Sequence, residues 1–103
     1  MIKVSVLYPY KPGSKFDMVY YLQHHIPMVQ KFLGSAAKGV TVDQGLSGMA
    51  PGAAMTYMTV AEVLFNSVEE FHAAFDPHAA EIVADVPNYT DIQPIMQISE
   101  VKL

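Results

Sequence analysis

Histidine is the side chain best suited to proton transfer near neutral pH, and the sequence contains four histidines. Two of them, His24 and His25, are adjacent in a stretch whose pattern predicts a helix. Successive helical residues point about 100° apart, so the two rings meet different surroundings. His25 follows Tyr21 by four residues and precedes Met28 by three, which places it beside the apolar side of the helix. We therefore predict that His25 is a catalytic acid or base, with a hydrogen-bonded structural histidine as the alternative.

Tyrosine and asparagine side chains could orient a carbonyl or a phenol beside such a base. Tyr8 and Tyr57 fall on predicted strands, where their hydroxyls could reach a cavity. Asn88 and Tyr89 follow a predicted helix and could line the entry to a pocket between helix and sheet. We assign these four residues, together with Tyr21, to substrate binding. The alternatives are turn chemistry for the asparagine and simple packing for the tyrosines.

The spacing of possible metal ligands predicts no metal site. The chain has no cysteine, and its histidines form no His-x-x-x-His pair and no triad of two histidines with a carboxylate. His72 lies among glutamates on a predicted exposed helix face, and His78 lies near a helix start. Phosphate-binding loops, serine elbows and dinucleotide-binding glycine motifs are absent as well. We expect neither a metal nor a cofactor.

The charge balance argues against nucleic acid and anionic membranes as partners. Six lysines and ten acidic residues give a net charge of −4, and arginine is absent. Phosphate backbones and anionic lipid surfaces are bound by clustered cations. No apolar run reaches the roughly 18 residues of a membrane span, and no signal-peptide pattern opens the chain, so we expect a cytoplasmic protein. The length of 103 residues predicts a single domain over residues 1–103.

The elements that must position these residues begin with a strand and a long helix. Residues 2–8 alternate at period two, which predicts a strand. Apolar residues then recur at spacings of three and four, which predicts a helix over about residues 15–33 with Ser14 as its cap. The apolar stripe consists of Val19, Leu22, Ile26, Val29 and Leu33. Pro27 removes one backbone hydrogen bond inside this helix, so we expect a kink near residues 23–27.

Strands and a second helical region follow. Ser67, with a glutamate three residues later, forms a capping box that starts a helix, and Asp76-Pro77 restarts one that continues to Pro87. The predicted strands cover residues 38–48, 55–65 and 93–102, with a glycine-rich loop between the first two.

The order β-α-β-β-α-β indicates an α+β, ferredoxin-like fold in which both helices cover one face of a four-stranded sheet. The other face carries apolar or tyrosine side chains in at least two strands, and 51% of all residues are hydrophobic. A soluble monomer rarely exposes such a face. We therefore expect a homodimer in which two sheets stack around a two-fold axis.

Four segments of the chain resemble the EthD family, and they occur in the family's order. The segments are Val6–Tyr8, Phe16 with Tyr20–Pro27, Ser67–Phe71 and Ala84–Asp91. The most specific parts are His25-Ile26-Pro27 and the Ala-Asp-x-Pro-Asn-Tyr run from residue 84, whereas residues 38–52 are generic.

The resemblance implies a dimeric α+β barrel, in which two ferredoxin-like sheets pack together. The family is named for ethyl tert-butyl ether degradation, and similar barrels include cofactor-free monooxygenases and muconolactone isomerases. His25, at the His-x-Pro position, is the first residue to which a role is carried over, followed by Asn88 and Tyr89. The chain lacks the tryptophan that some of these oxygenases use, which weakens the oxygenase interpretation.

Three functions remain open on the sequence. The first is an enzyme with a small apolar pocket for an aromatic, polyketide-like or other apolar metabolite. In such an enzyme His25 moves a proton during isomerisation, decarboxylation or cofactor-free oxygenation. The second is a non-catalytic binding or accessory protein that holds a metabolite for a partner oxidase, and the third is a structural dimer without a ligand.

Overall fold

The computed structural model describes all 103 residues as one four-stranded sheet packed against helices. The strands are β1 (Ile2–Pro9), β2 (Gly39–Gln44), β3 (Tyr57–Phe65) and β4 (Ile95–Glu100). The helices are α1 (Met18–Tyr20), α2 (Ile26–Leu33), α3 (Val68–Phe75) and α4 (Ala79–Asp85). A π-helical turn, Tyr21–His25, joins α1 to α2, and 3₁₀ turns follow the later helices at Gly34–Ala36, Asp76–His78 and Val86–Asn88. None of the helices is both long and apolar enough to span a membrane.

The sheet is antiparallel, with the strand order β2-β3-β1-β4. This order confirms the ferredoxin-like α+β fold. Val4 and Tyr8 of β1 are each 2% exposed, and they oppose Val63 and Thr59 of β3 on the helix-covered face. The three later strands are shorter than predicted; residues 45–56, for example, leave the sheet beyond the pair Gln44 and Thr59.

The first helical segment begins later than predicted and buries a different face. Asp17, not Ser14, is the cap: its carboxylate accepts a hydrogen bond from the Tyr20 N–H at 3.0 Å, while the Ser14 hydroxyl bonds a nearby backbone carbonyl. Val19 and Leu22 are 65% and 49% exposed, so the first half of the predicted stripe is wrong.

The kink expected near Pro27 is a π-helical turn. Pro27 has no N–H to donate to the carbonyl of Gln23. The N–H of Ile26 reaches the carbonyl of Tyr21, one residue further back than in an α-helix. The extra residue in the turn brings Tyr21 and His25 to the buried side, and this change of phase explains why the first half of the stripe faces solvent.

The second helical region starts at the predicted capping box, in which the Glu70 N–H donates to Ser67 Oγ at 3.1 Å. Asp76 does not cap the next segment, because its carboxylate lies 3.1 Å from Nδ1 of His72 in the preceding turn. The chain continues through a 3₁₀ turn into α4, since Pro77 fits at the first positions of a helical turn.

The core consists of two clusters at opposite ends of β1. The first contains Val4, Leu33, Val63, Phe65 and Phe71. The second contains Tyr8, Tyr21, Ala61, Tyr89 and Ile92. The second cluster is rich in tyrosine, and it surrounds the predicted catalytic histidine.

The sheet face away from the helices mixes apolar and charged side chains. Leu7 and Val60 oppose each other there across β1 and β3. On the same face, Glu62 accepts a hydrogen bond from the Ser5 hydroxyl at 3.1 Å and lies 3.8 Å from the Lys3 ammonium. The edge strands add Thr41, Asp43, Gln97 and Ser99 to this face, so the expected apolar face carries polar residues on all four strands.

Candidate functional site

A cavity of about 100 Å³ lies between the sheet and the helices, lined by 19 residues of which 17 are hydrophobic. Val4, Val6 and Tyr8 all line it, so the cavity runs along the helix-facing side of β1. Val83 and Met96 line it too and are 63% and 50% exposed, so it reaches the surface between α4 and β4. An apolar enclosure with a few polar groups is typical of small-molecule sites.

The π-helical turn brings two rings together at the polar end of this cavity. Tyr21 and His25 stack with their centroids 5.3 Å apart and their planes 14° apart. Tyr89 also packs against His25, with a centroid distance of 4.6 Å. His25 is only 4% exposed, so two phenol rings and the surrounding core hold its imidazole in place.

Asp85, at the end of α4, binds the imidazole. Its Oδ2 atom lies 2.9 Å from Nδ1 of His25, and its Oδ1 atom accepts hydrogen bonds from the Tyr20 hydroxyl at 2.8 Å and the Asn88 amide at 2.9 Å. Burial acts to raise the pKa of Asp85, but the hydrogen bonds from Asn88, His25 and Tyr20 outweigh it and lower this pKa below its ordinary value. Asp85 is therefore a carboxylate with three donors around it.

The partner of Nδ1 determines which nitrogen of His25 can act as a base. Because the Asp85 carboxylate only accepts, the hydrogen-bond network assigns the proton of neutral His25 to Nδ1 and a free lone pair to Nε2. Nε2 faces the Tyr89 hydroxyl at 3.4 Å. Burial lowers the pKa of His25 below its ordinary value, although the hydrogen bond and charge of Asp85 oppose the shift. The imidazole is therefore neutral at pH 7 and can accept a proton at Nε2.

Two tyrosine hydroxyls complete the polar end of the cavity. The hydroxyls of Tyr8 and Tyr89 are 2.8 Å apart, although these residues lie 81 positions apart in the chain. Burial raises the pKa of both phenols well above the ordinary value. Both hydroxyls therefore keep their protons at neutral pH. One hydrogen is used in the contact between them, and the other can be donated to an oxygen that becomes negative.

The structure brings four of the six predicted site residues to the cavity: His25, Tyr8, Tyr21 and Tyr89. Asn88 is exposed and lies behind the site, where its amide donates hydrogen bonds to Asp85 at 2.9 Å and to the Tyr20 hydroxyl at 3.5 Å. Tyr57 does not line the cavity, because it pairs with Pro9 at the end of β3 where the register shifts.

Sequence reasoning missed the roles of Asp85 and Tyr20. Asp85 lies in the Ala-Asp-x-Pro-Asn-Tyr run, from which only Asn88 and Tyr89 were chosen as site residues, and it is 60 positions from His25. Tyr20 is on the same helical segment as His25 but contacts it only through the Asp85 carboxylate. No local spacing joins these residues, so the resemblance of their two segments to the EthD family is the one signal that could have found them.

The other histidines lie outside this site. His24 is exposed, with its ring 4.9 Å from that of Tyr20. His78 stacks on Phe32 with a centroid distance of 4.2 Å. No group of three or more histidine, cysteine, aspartate or glutamate side chains is placed to hold a metal ion.

The model of the EthD domain matches residues 14–93, which include His25, Asp85 and Tyr89. The chain belongs to the EthD family. An EthD-like protein from Ralstonia eutropha JMP134, known from a crystal structure, is 48% identical; the match covers 99% of this chain and 92% of the other, with a TM-score of 0.95.

More distant structures share the EthD fold. An ethyl tert-butyl ether (EthD) family protein from Bacillus halodurans is 15% identical, with a TM-score of 0.69 and coverage of 99% of both chains. A dimeric ferredoxin-like protein of unknown function from Thermobifida fusca is 14% identical, with a TM-score of 0.65 and coverage of 97% of this chain and 90% of the other. At these identities the likeness shows the fold alone. No protein of curated function matches the chain.

Proposed function

We propose that this EthD-family protein binds a small aromatic or other apolar metabolite in the cavity and transfers a proton on it through His25. The observation that carries the proposal is the pairing of His25 Nδ1 with Asp85 Oδ2 at 2.9 Å. This pairing leaves Nε2 as a neutral base at the polar end of an otherwise apolar cavity. A buried base that is held in one tautomer is a common arrangement for general acid–base catalysis.

The roles of the individual groups follow from their hydrogen bonds. Nε2 of His25 takes a proton from the bound metabolite, and Asp85 stabilises the imidazolium that forms, as a carboxylate does in a histidine–aspartate pair. The hydroxyl hydrogen of Tyr8 or Tyr89 that is not used in their mutual contact is donated to the oxygen on which negative charge develops. Returning the proton to a different atom of this anion gives isomerisation, and addition of dioxygen to the anion followed by return of the proton from His25 gives a hydroperoxide. In decarboxylation, loss of carbon dioxide from a bound carboxylate forms the anion instead, and the imidazolium of His25 supplies the proton that replaces the carboxylate.

The size of the cavity limits the metabolite. An engineered apolar cavity of about 150 Å³ holds benzene, so a cavity of about 100 Å³ takes no more than one small ring or a short branched chain. A longer, polyketide-like molecule must extend through the opening between Val83 and Met96. We therefore propose that the reacting group lies beside His25 and that any larger part of the molecule leaves through this opening.

A second candidate function is that of a binding or accessory protein, which shields the metabolite for a partner oxidase in a cytoplasmic degradation or oxidation pathway. The cavity lining favours it in one respect: 17 of 19 residues are hydrophobic, and the lining holds one imidazole and no charged side chain. A binder needs only this enclosure, whereas an enzyme also needs the His25–Asp85 pair.

We further propose that the protein is a homodimer in which the open faces of two sheets meet. Leu7 and Val60 on that face support this, as does the description of the Thermobifida fusca neighbour as dimeric. Each cavity lies on the opposite, helix-covered side of its own sheet, so each protomer would hold a complete site.

The test is proton exchange on a small enolisable ketone, cyclopentanone, followed by NMR in deuterated water. We expect the protein to accelerate exchange of the α-hydrogens and the His25→Ala variant to lose the acceleration. The matched control is His24→Ala, one residue away but exposed. Binding of the ketone without accelerated exchange would favour the accessory function instead.

A further inference from the structure

The polar end of the cavity has one hydrogen-bond donor and one acceptor that are poorly paired. The contact between the Tyr8 and Tyr89 hydroxyls uses one of their two hydrogens, whichever residue donates. The Tyr21 hydroxyl also interacts with that of Tyr8. The other hydroxyl hydrogen of the Tyr8–Tyr89 pair and the lone pair on Nε2 of His25 are left with weaker contacts. If Tyr89 carries the free hydrogen, its oxygen is 3.4 Å from Nε2, well beyond the roughly 2.8 Å that is usual for a hydroxyl donor. The protein alone therefore satisfies these two groups weakly.

We propose that the ligand of this cavity is an uncharged molecule with an acidic hydroxyl group, a phenol or an enol. Its O–H donates to Nε2 of His25, and its oxygen accepts the free tyrosine hydrogen. A hydroxyl is the smallest group that offers a donor and an acceptor on one atom, which matches these two weakly paired groups. The inference rests on the proposed function only in placing the ligand in this cavity.

Charged ligands of the same size match the site less well. The lining contains no lysine, so a carboxylate would be buried without a cation and close to the negative charge of Asp85 behind His25. An ammonium ion could donate to Nε2, but it would leave the tyrosine hydrogen unpaired, and no carboxylate lines the cavity. An acidic hydroxyl is preferred to an aliphatic one because a more acidic proton makes a stronger hydrogen bond to the imidazole.

The experiment measures dissociation constants of four single-ring probes by titration calorimetry: toluene, phenol, benzoate and benzylamine. We expect phenol to bind about 3- to 10-fold more tightly than toluene, the gain of a typical net hydrogen bond. We expect benzoate and benzylamine to bind at least 10-fold more weakly than phenol. Substituting His25→Leu should remove the advantage of phenol over toluene.

Two further variants keep the test decisive if His25→Leu does not fold. Tyr8→Phe removes one hydroxyl but retains the His25–Asp85 pair, and it should also reduce the advantage of phenol. Tyr10→Phe is the matched control, because Tyr10 does not line the cavity, and it should keep the preference of the unmodified protein.

The outcomes separate this inference from the proposed function. Toluene binding as tightly as phenol, or benzoate or benzylamine binding as tightly as phenol, would overturn the hydroxyl inference and leave the cavity as a binding site. If none of the four probes binds up to its solubility limit, the cavity is not a small-molecule site, and the proposed function fails together with the inference.

Discussion

Asp85 Oδ2 lies 2.9 Å from Nδ1 of His25, across 60 positions of sequence and between two different helical segments. The side chains are 15% and 5% exposed, so water competes little for this contact. The carboxylate fixes both the orientation of the ring and the location of its proton. Nε2 thereby becomes the one nitrogen that can act on a molecule in the cavity.

Substituting Asp85→Asn tests this relationship directly. An amide can donate to Nδ1, which stabilises the tautomer with its proton on Nε2 and removes the free lone pair from the cavity. We expect the rate of α-hydrogen exchange on cyclopentanone to fall by about 10²- to 10⁴-fold. Nitrogen-15 NMR of the imidazole should show the proton moving from Nδ1 to Nε2.

The control for this substitution is Glu81→Gln, which changes an exposed carboxylate in the same helix. It should leave both the exchange rate and the tautomer as they are. An Asp85→Asn protein with an unchanged tautomer would contradict the role that we assign to the carboxylate.

The pH dependence of stability follows from the lowered pKa of His25. The unfolded chain binds a proton at the ordinary pKa, about 6.5, whereas the folded protein keeps His25 neutral to a lower pH. Between these two pKa values the unfolded state holds more protons than the folded state. The free energy of unfolding therefore rises with pH, and the contribution of His25 to it decreases as the pH falls below about 6.5. Urea denaturation at several pH values from 5 to 7.5 should show this rise.

His25→Gln should flatten the dependence between pH 5 and 7.5, because the titrating group is gone. Asp85 contributes at lower pH with the usual sign for a carboxylate: its pKa is lowered in the folded state, so its contribution is lost as the pH falls through the acidic range below about 4. A stability that falls from pH 5 to 7 would show that His25 is charged in the folded protein.

Local patterns predicted the elements well and the buried face of the first helix poorly. Period-two alternation along β1 and the cap at Ser67 depend only on neighbouring residues, and both are confirmed. A periodicity analysis assumes an unbroken 3.6-residue repeat, so a π-helical turn shifts every prediction on one side of it. Val19 and Leu22 were assigned to the core for this reason, although the proline that accompanies the turn was visible.

The candidate site was predictable only in part. His25 could be chosen from its residue type and its place beside the apolar stripe, and Tyr8 from its place on a strand. Asp85 could not, because an aspartate before a proline-containing turn looks like a local backbone partner. Its contact with His25 depends on how the two helices pack on the sheet, which no short-range pattern reports.

Pro27→Ala tests whether the π-helical turn positions the histidine. Alanine restores an N–H at a position where an α-helix would use it and raises helix propensity, so we expect the turn to relax toward α-helical geometry. The ring of His25 should then rotate away from Asp85. The proton NMR signal of the hydrogen-bonded Nδ1–H should weaken, and the pKa of His25 should move toward its ordinary value.

The control is Pro77→Ala, a proline in the exposed 3₁₀ turn before α4. This variant should keep the Nδ1–H signal. A Pro27→Ala protein with the signal and the exchange rate of the unmodified protein would show that core packing alone sets the geometry of the turn.

Val60→Lys tests the homodimer. Val60 opposes Leu7 on the sheet face away from the helices, so a lysine there would bring an ammonium into the proposed contact between two sheets. We expect the sedimentation mass to change from about twice 11.3 kDa to that of one chain, with the circular dichroism of a folded protein. The matched control is Val68→Lys on the outer side of α3, which should leave the mass unchanged.

Because each cavity lies on the helix side of its own sheet, the monomeric variant should still bind phenol. If the unmodified protein sediments at micromolar concentration with the mass of one chain, 11.3 kDa, the dimer is contradicted and the site is unaffected. If the folded monomeric variant loses phenol binding, the partner helps to form the cavity.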